Sequence, residues 1–364
     1  MSKIQRNDLK VALFCGGVGT RMWPVGRAAK PKQFQPILAG KSTFELTVQR
    51  VLKAVVPANI FPVVNREYVG FIAQQAPAIP LENIIVEPEL RDTFAAVGLV
   101  AAQLSEKFGN CTVCGLWSDH LVKNEQVFSQ ALLAASKLAA EVHKMVEIGV
   151  RPTFASTQLG YIKLGKQIDN IDGMAVFEFL SQIEKPKESE AAEFVKSWKY
   201  LWHVGLAVWQ TNLMLSFYKR LHPATFELLS KIAKTKNETQ IARIYRQIPK
   251  TSVDFAILEK LDAGDRLVIS ADLGWADVGA WDVLKDELAE NKKELVKAGE
   301  VLDFDSKDCL IYETVAGKVI TTAGLSSLLI VDTPDALLVL PKEKASDVKK
   351  IVAKLKELKK EKYL

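Results

Sequence analysis

The sequence from Lys10 to Phe34 reads KVALFCGGVGTRMWPVGRAAKPKQF. After the lysine it is apolar up to Cys15 and then runs into glycines, which is typical of a buried strand that ends in a tight turn. Such a turn lets backbone N–H groups converge on a phosphate without obstruction by a Cβ. The residues alone leave two interpretations open, a phosphate-binding turn and an ordinary tight turn.

Two familiar phosphate-binding motifs do not fit this turn. The dinucleotide fingerprint needs a glycine where Met22 stands. The Walker A loop ends in a pattern that Gly40-Lys41-Ser42 supplies, but Gln35 occupies the place of its first glycine. What remains is a glycine turn followed by the cations Arg21 and Lys32, a combination that suits an acidic triphosphate.

Strand-like and helix-like stretches alternate after this turn. This alternation predicts an α/β fold with right-handed βαβ units and a mostly parallel, mixed sheet. The predicted strands after the first are Ile60–Asn65, Ile84–Glu87, Cys111–Trp117, Ala175–Leu180 and Val204–Trp209.

The composition shifts at the charged stretch Lys285–Lys297, which we predict to be helical. Short strand-like runs follow it, so we divide the chain into residues 1–290 and a small β-rich module, residues 291–364. From Ser346 onwards, apolar residues at helical spacing predict a terminal amphipathic helix. Packing on the chain's own module and a subunit contact are the first two interpretations of this helix, and a membrane surface is a weaker third.

Composition narrows the functional classes. Hydrophobic residues make up 48% and charged residues 25%, which excludes a disordered chain. The net charge of +5 resides in the tail from Pro341, with nine lysines and four acids, so a broad nucleic-acid-binding face is not expected. No apolar run could span a bilayer. Four cysteines suit a reducing compartment, and we predict a cytoplasmic protein.

The stretch Gly16–Phe34 closely resembles the signature of the sugar-1-phosphate nucleotidyltransferases, and specifically of the mannose-1-phosphate guanylyltransferases, GGxGTRLWPxSRxxxPKQF. Gly26 replaces the usual serine. Further blocks that resemble the family follow in its order: Ile85–Val97, Trp117–His120, Ile148–Ile162, Ile183–Pro186 and Gly274–Trp281. The resemblance covers roughly residues 10–340. It implies a Rossmann-like nucleotidyltransferase domain and a β-helix-like C-terminal module.

The resemblance also implies a reaction, in which a sugar phosphate oxygen attacks the α-phosphorus of a nucleoside triphosphate and pyrophosphate leaves. The nucleophile is already mostly dianionic at neutral pH, so the site needs cations and backbone donors rather than a base. By resemblance, Arg21 and Lys32 contact the phosphates as the catalytic residues. The residues expected to hold the nucleotide are Gly16, Gly17, Gly19, Thr20, Asp92 and Thr93.

Two distant aspartates are the expected metal ligands. The resemblance assigns Asp119 and Asp277 to Mg²⁺, which prefers oxygen ligands and usually takes one or two carboxylates together with phosphates. Without the motifs, either aspartate would more often be a helix cap or a turn residue. We expect both aspartates, Arg21 and Lys32 to line one cleft.

The sugar side departs from the family pattern. By resemblance, Glu184 accepts from sugar hydroxyls, Lys185 meets the sugar's phosphate, and Gly160 and Tyr161 shape the pocket. His203 stands where the family has an asparagine that binds a sugar hydroxyl. Asp92 stands in the worn block near the base, and Gln158-Leu159 replaces a Gly-Tyr pair.

Three hypotheses follow. The first is transfer from GTP to mannose 1-phosphate, which gives GDP-mannose and pyrophosphate. The second keeps the chemistry but changes the sugar or the base. The third is a non-catalytic homologue that binds a nucleotide sugar, which the retention of Arg21, Lys32, Asp119 and Asp277 argues against. A homodimer is left open, and no nucleic acid or membrane partner is expected.

Overall fold

The structure, a computed structural model, describes residues 8–38 and 40–364. The chain forms two compact units. The first comprises the residues up to Gly16, Val48–Ser118 and Val122–Trp275, and the second comprises Gly17–Thr47, Asp119–Leu121 and Ala276–Leu364. No helix in the described ranges is both long enough and apolar enough to cross a membrane. The predicted division at residue 290 stays a prediction.

The first unit contains a nine-stranded sheet, whose strands lie side by side in the order β3-β2-β1-β4-β9-β6-β10-β8-β7. Its strands are β1 (Leu9–Phe14), β2 (Ile60–Asn65), β3 (Ile85–Glu87), β4 (Thr112–Trp117), β6 (Met145–Val150), β7 (Gly160–Ile171), β8 (Met174–Ile183), β9 (Tyr200–Gln210) and β10 (Arg266–Ser270). Only β8 and β9 run against the others. The prediction of a mixed, mostly parallel sheet is therefore confirmed.

Helices of the first unit build its core. They are α2 (Val69–Gln75), α3 (Asp92–Phe108), α4 (Glu125–Val142), α5 (Glu188–Ser197), α6 (Thr211–Leu221), α7 (Pro223–Ala233), α8 (Glu238–Tyr245) and α9 (Val253–Ala256). The Ala-rich α3 is buried along most of its length and shares a core cluster with α6 and α7. Phe94 stacks on Tyr218 with ring centroids 4.9 Å apart. This packing fixes the start of α3, where Asp92 and Thr93 lie.

Three short elements contain residues of both units. Helix α1 (Thr43–Val51) begins after Ser42, whose hydroxyl accepts from the Glu45 N–H while the Glu45 carboxylate accepts from the Ser42 N–H. This reciprocal pair is a capping box. Strands β5 (His120–Val122) and β11 (Trp275–Asp277) pair with each other as a two-stranded sheet.

The second unit contains the β-rich module. Helix α10 (Trp281–Leu288) precedes the module, whose elements are β12 (Val296–Ala298), β13 (Glu300–Phe304), β14 (Leu310–Glu313), β15 (Val319–Ala323), β16 (Leu328–Thr333), β17 (Ala336–Pro341) and α11 (Val348–Glu357). Strands β12, β14 and β16 pair in parallel in one sheet, whereas β13 and β15 pair in parallel in another. Successive strands thus alternate between two sheets, as in a β-helix, and the predicted β-helix-like module is confirmed.

The terminal helix packs on its own module. Val348 at the start of α11 is fully buried in the core of the second unit, and Ile351, Val352 and Leu355 pack against the same cluster. These are the apolar positions from which the sequence predicts an amphipathic helix. The structure therefore favours the first interpretation of the tail.

The charged stretch Lys285–Lys297 differs from its prediction. Helix α10 ends at Leu288, and the chain then turns before β12. Lys285 is completely buried, and its ammonium donates to the Lys292 carbonyl over 2.8 Å and to the Asp308 carboxylate. A buried ammonium needs such partners, and these bonds stabilise the turn in place of a longer helix.

Candidate functional site

Close packing shapes the glycine-rich stretch, here called the signature segment (residues 17–38). Gly17 and Gly19 have φ of 90° and 69°, in the left-handed region that favours glycine. A Cβ at Gly19 would lie 2.5 Å from the Lys32 Cγ, and a Cβ at Gly26 would lie 2.7 Å from the Gly19 carbonyl oxygen. Gly16 and Thr20 are exposed. The family's serine at position 26 thus has no room in this chain.

Lys32 and Asp119 form an ion pair within the second unit. The Lys32 Nζ lies 2.9 Å from the Asp119 Oδ2 and donates to the Val278 carbonyl over 3.2 Å. Burial alone would raise the pKa of Asp119, but the Lys32 ammonium and neighbouring groups outweigh it and lower this pKa to about 2. Asp119 is therefore a carboxylate at any physiological pH.

Arg21 and Asp277 approach each other across Gly279. A Cβ at Gly279 would lie 2.7 Å from the Arg21 Nη2 and 3.2 Å from the Asp277 Oδ1. Neither side chain forms an ion pair or a side-chain hydrogen bond with any residue in the described ranges. An unengaged guanidinium and an unengaged carboxylate at this distance leave room for a charged ligand.

The structure thus brings all four predicted charged residues together. Asp277 and Gly279 flank Val278, whose carbonyl receives the Lys32 ammonium. Cations and carboxylates therefore face the same short turn, residues 277–279, in the second unit. The catalytic and metal-binding roles of these residues stay predictions.

The predicted sugar-side residues lie in the first unit. The Lys185 Nζ lies 2.9 Å from the Glu184 Oε1. A Cβ at Gly160 would lie 2.4 Å from the Glu184 Oε2 and 3.2 Å from the His203 Cβ. The absence of a side chain at Gly160 therefore makes room for the Glu184 carboxylate beside His203.

His203 belongs to a buried polar network. Its Nε2 lies 3.1 Å from the Asp254 Oδ1, and its Nδ1 lies 3.8 Å from the Glu147 Oε1. Burial alone would lower the pKa of His203, but the carboxylates of Glu147 and Asp254 raise it to about 9. The imidazole is thus a cation at neutral pH, unlike the family's neutral asparagine.

The network is closed by two further side chains. Arg266 donates from its Nη1 to the Glu147 Oε1 over 2.7 Å and to the Gln182 Oε1 over 2.8 Å. The Gln182 Nε2 donates to the Asp254 Oδ1 over 3.3 Å. The Arg266 guanidinium also stacks on the Phe179 ring, 3.6 Å from its centroid. These bonds fix the position of Asp254, which remains partly exposed.

The remaining predicted residues have structural partners. Tyr161 is fully buried, and its hydroxyl donates to the Ser156 carbonyl and accepts from the Ser156 N–H. Thr93 accepts from the Val253 N–H over 2.8 Å. Asp92 is exposed with φ of 64°, and its carboxylate accepts from the Thr93 N–H. Tyr161 thus shapes its surroundings from within the core.

Glu147, Asp254 and Arg266 were not predicted as site residues. A local signal existed for two of them, because Glu147 interrupts the apolar run MVEIGV and Arg266 begins the apolar run RLVIS. A charge inside an apolar strand predicts a buried partner of opposite charge. No local pattern marks Asp254, since its partners lie far away in the sequence.

Comparisons with protein families match almost the whole chain. The model of the nucleotidyl transferase family matches residues 10–294, and the model of the MannoseP isomerase/GMP-like beta-helix domain matches residues 299–355. The first match covers the signature segment, both aspartates and the sugar-side residues. The second covers the strands of the β-rich module after β12.

Individual relatives agree with these family matches. The chain is 32% identical to the mannose-1-phosphate guanylyltransferase of Salmonella muenchen over 353 residues, which cover 94% of this chain and 72% of the relative. It is 30% identical to the xanthan biosynthesis protein XanB of Xanthomonas campestris, with 96% and 74% of the two chains covered.

A solved structure shares the fold. The crystal structure of a mannose-1-phosphate geranyltransferase from Thermus thermophilus superposes with a TM-score of 0.86 at 29% identity, covering 96% of this chain and 99% of that one. On these matches, the chain belongs to the mannose-1-phosphate guanylyltransferase family of nucleotidyl transferases.

Proposed function

We propose that the chain transfers a guanylyl group from GTP to mannose 1-phosphate, giving GDP-mannose and pyrophosphate. The observation that carries this proposal is the grouping of Arg21, Lys32, Asp119 and Asp277 at the turn 277–279, next to the glycines of the signature segment. The names of the Salmonella and Thermus relatives support mannose 1-phosphate as the sugar substrate.

The chemistry is an in-line displacement at phosphorus. An oxygen of the sugar phosphate forms a bond to the α-phosphorus while the bond from that phosphorus to the bridging oxygen of pyrophosphate breaks. The nucleophile needs no base, since its second pKa is about 6. The barrier comes from repulsion between anions and from charge that develops on pyrophosphate. Arg21 and Lys32 would lower both, Arg21 by bidentate bonds and Lys32 as a point charge.

Asp119 and Asp277 would hold Mg²⁺. Their oxygens are the ligands that this ion prefers, and two carboxylates completed by phosphates and water are a usual magnesium site. Two observations support this role: the Asp119 carboxyl is held ionised, and the Asp277 carboxylate has no side-chain partner among the described residues. When bound, the ion would neutralise charge on the phosphate oxygens. Lys32 pairs with Asp119 in this structure and would turn towards the triphosphate.

The sugar would be recognised by carboxylates on the first unit. Glu184 and the partly exposed Asp254 are acceptors for sugar hydroxyls, and Lys185 is a cation for the sugar's phosphate. His203 has Asp254 and Glu147 as neighbours, so it would position Asp254 rather than bind the sugar itself. At the base, Asp92 would accept from the paired N–H donors of guanine.

A different sugar 1-phosphate is the second candidate. The observation that favours it is the charged His203 in the place of the family's asparagine. The His203 Nε2 lies 3.1 Å from Asp254 and the Nδ1 faces Glu147 at 3.8 Å, so carboxylates hold the ring and the hydroxyl that the asparagine would bind loses its partner here. The cytoplasmic location and the homodimer remain predictions in either case.

One panel separates these candidates. The full chain is incubated with Mg²⁺ and each pair from GTP, ATP, UTP and dTTP against mannose, glucose, galactose and heptose 1-phosphates, and pyrophosphate release is measured. The proposal predicts the highest kcat/KM with GTP and mannose 1-phosphate. A higher value with another sugar supports the second candidate. No release with any pair would contradict both.

A further inference from the structure

The signature segment is bonded to the C-terminal module within the second unit. Contacts occur at Trp23, Arg27 and Pro36, all on the part of the segment that lies between or beyond the cations Arg21 and Lys32. The Pro36 carbonyl accepts from the Tyr312 hydroxyl over 3.1 Å. Parts of the chain about 300 residues apart are thus held together.

Trp23 is enclosed by the module. Its indole Nε1 donates to the Tyr363 carbonyl over 2.7 Å, and its carbonyl accepts from the Trp281 indole over 2.9 Å. Met22 and Trp23 share one core cluster with Trp281 and Val348. Met22 and Trp23, which follow Arg21, therefore belong to the hydrophobic core of the second unit, to which the C-terminal module contributes.

The Arg27 side chain makes three hydrogen bonds to described residues. Its Nε donates to the Pro24 carbonyl over 2.7 Å, and its two terminal nitrogens donate to the two oxygens of Asp335 over 2.7 and 2.8 Å. Arg27 and Asp335 are 14% and 33% exposed, so water only partly screens the pair. A bidentate arginine–carboxylate pair is among the strongest polar contacts in proteins and fixes orientation as well as distance.

Backbone bonds connect Arg27 and its neighbour Gly26 to residues that lie next to, or two positions before, the two cations. The Gly26 N–H donates to the Met22 carbonyl over 2.9 Å, next to Arg21. Arg27 and Lys30 exchange two backbone bonds of 3.0 Å, two residues before Lys32. A displacement of Arg27 would therefore move both cations.

We propose that the Arg27–Asp335 ion pair holds the signature segment on the C-terminal module. The pair would thereby position Arg21 and Lys32 for the triphosphate. Arg27 and Asp335 are positioning residues in this account. The effect of this ion pair on catalysis rests on the proposed function. Its effect on the order of the signature segment does not.

The structural consequence is tested by hydrogen–deuterium exchange of the full chain. Asp335→Ala should accelerate amide exchange in residues 17–38, with the nine-stranded sheet unchanged. The control is Asp305→Asn in the same module, because Asp305 is an exposed acid paired with Lys307 and its φ of 62° is tolerated by asparagine but not by alanine. Unchanged exchange in Asp335→Ala would overturn the proposal. If that variant does not fold, Asp335→Asn, which keeps the side-chain volume, serves the same comparison.

The kinetic consequence is tested with a double-mutant cycle. Arg27→Ala and Asp335→Ala should each lower kcat/KM for the nucleotide about tenfold, since misplacement of a reacting group by ~1 Å can cost up to ~10²-fold. The double variant should lose no more than either single variant. The exchanged pair, Arg27→Asp with Asp335→Arg, should recover part of the loss.

Additive losses without recovery would contradict the proposed role of the Arg27–Asp335 ion pair. A wild-type chain that is inactive in the substrate panel would contradict the proposed function. The hydrogen–deuterium exchange experiment would still test whether the Arg27–Asp335 ion pair orders the segment.

Discussion

Gly160 has no side chain, and Glu184 occupies the space that one would need. A Cβ at this position would lie 2.4 Å from the Glu184 Oε2. Gly160→Ala should therefore displace the carboxylate and raise KM for the sugar phosphate by about tenfold, the cost of one lost hydrogen bond to a charged group. KM for the nucleotide should not change, as steady-state kinetics with each substrate varied will show. Gly70→Ala is the control, because nothing lies within 4 Å of a Cβ there. An unaltered KM for the sugar phosphate would contradict the assignment of Glu184.

Gly26 departs from the family signature for a steric reason. A Cβ there would lie 2.7 Å from the Gly19 carbonyl, and backbone cannot yield as a flexible side chain can. Restoring the family's residue with Gly26→Ser should therefore lower kcat/KM for the nucleotide, by about tenfold, because the turn that carries Gly19 must shift. Pyrophosphate release at varied nucleotide concentration measures this. A variant with wild-type or higher kcat/KM would show that the segment accommodates a serine.

His203 should make stability depend on pH. Its pKa is raised from 6.5 to about 9 in the folded chain. A raised pKa means that folding favours the protonated form, so this contribution is complete below about pH 6.5 and is lost as the pH rises through 9. His203→Gln should therefore lower the melting temperature by about 2–4 °C at pH 6, and the difference should shrink towards pH 9.5. Thermal unfolding from pH 6 to 9.5 measures this difference. A difference that stays constant over this range would contradict a charged His203.

At the scale of elements, uninterrupted runs of apolar residues were the main signal by which strands could be predicted from the sequence. Strands β1 to β4 are continuous apolar runs between turn signals, and each was predicted within a few residues. Strands β6, β7 and β10 were not predicted. Glu147 interrupts the apolar run of β6, Arg266 begins that of β10, and the second half of β7, through Ile171, is exposed and polar. Lys285 lies in a charged stretch whose composition is typical of an exposed helix. It is buried because its ammonium bonds to Asp308, which is distant in the sequence. Long-range partners of this kind leave no local pattern.

The β-rich module is stabilised by the side chains that its alternating strands direct into its core. Leu329 on β16 is fully buried, whereas Val339 on β17 is 54% exposed. Leu329→Ala should lower the free energy of unfolding by about 2–5 kcal/mol through lost burial and a cavity. Val339→Ala should change it by less than about 0.5 kcal/mol. Chemical denaturation of both variants tests this. Equal losses would mean that the two strands do not present these faces.

At the scale of the whole molecule, motif order was more informative than composition. The net charge of +5 reflects the lysine-rich tail, whose helix packs on its own module, and names no partner. The ordered motifs predicted the family and the four charged residues that the structure brings together. The sequence could not predict the Arg27–Asp335 pair or the network around His203, because both join residues that are distant along the chain.

The proposed guanylyl transfer requires Arg21, Lys32, Asp119 and Asp277 to act together on a triphosphate. The most direct test compares pyrophosphate release from GTP, mannose 1-phosphate and Mg²⁺ by the wild type, Lys32→Met, Asp277→Asn and the control Asp305→Asn. The proposal predicts that Lys32→Met and Asp277→Asn each lower kcat by about 10²-fold or more, as losses of electrostatic stabilisation do, while the control keeps the wild-type rate. Wild-type turnover by Lys32→Met and Asp277→Asn would contradict it.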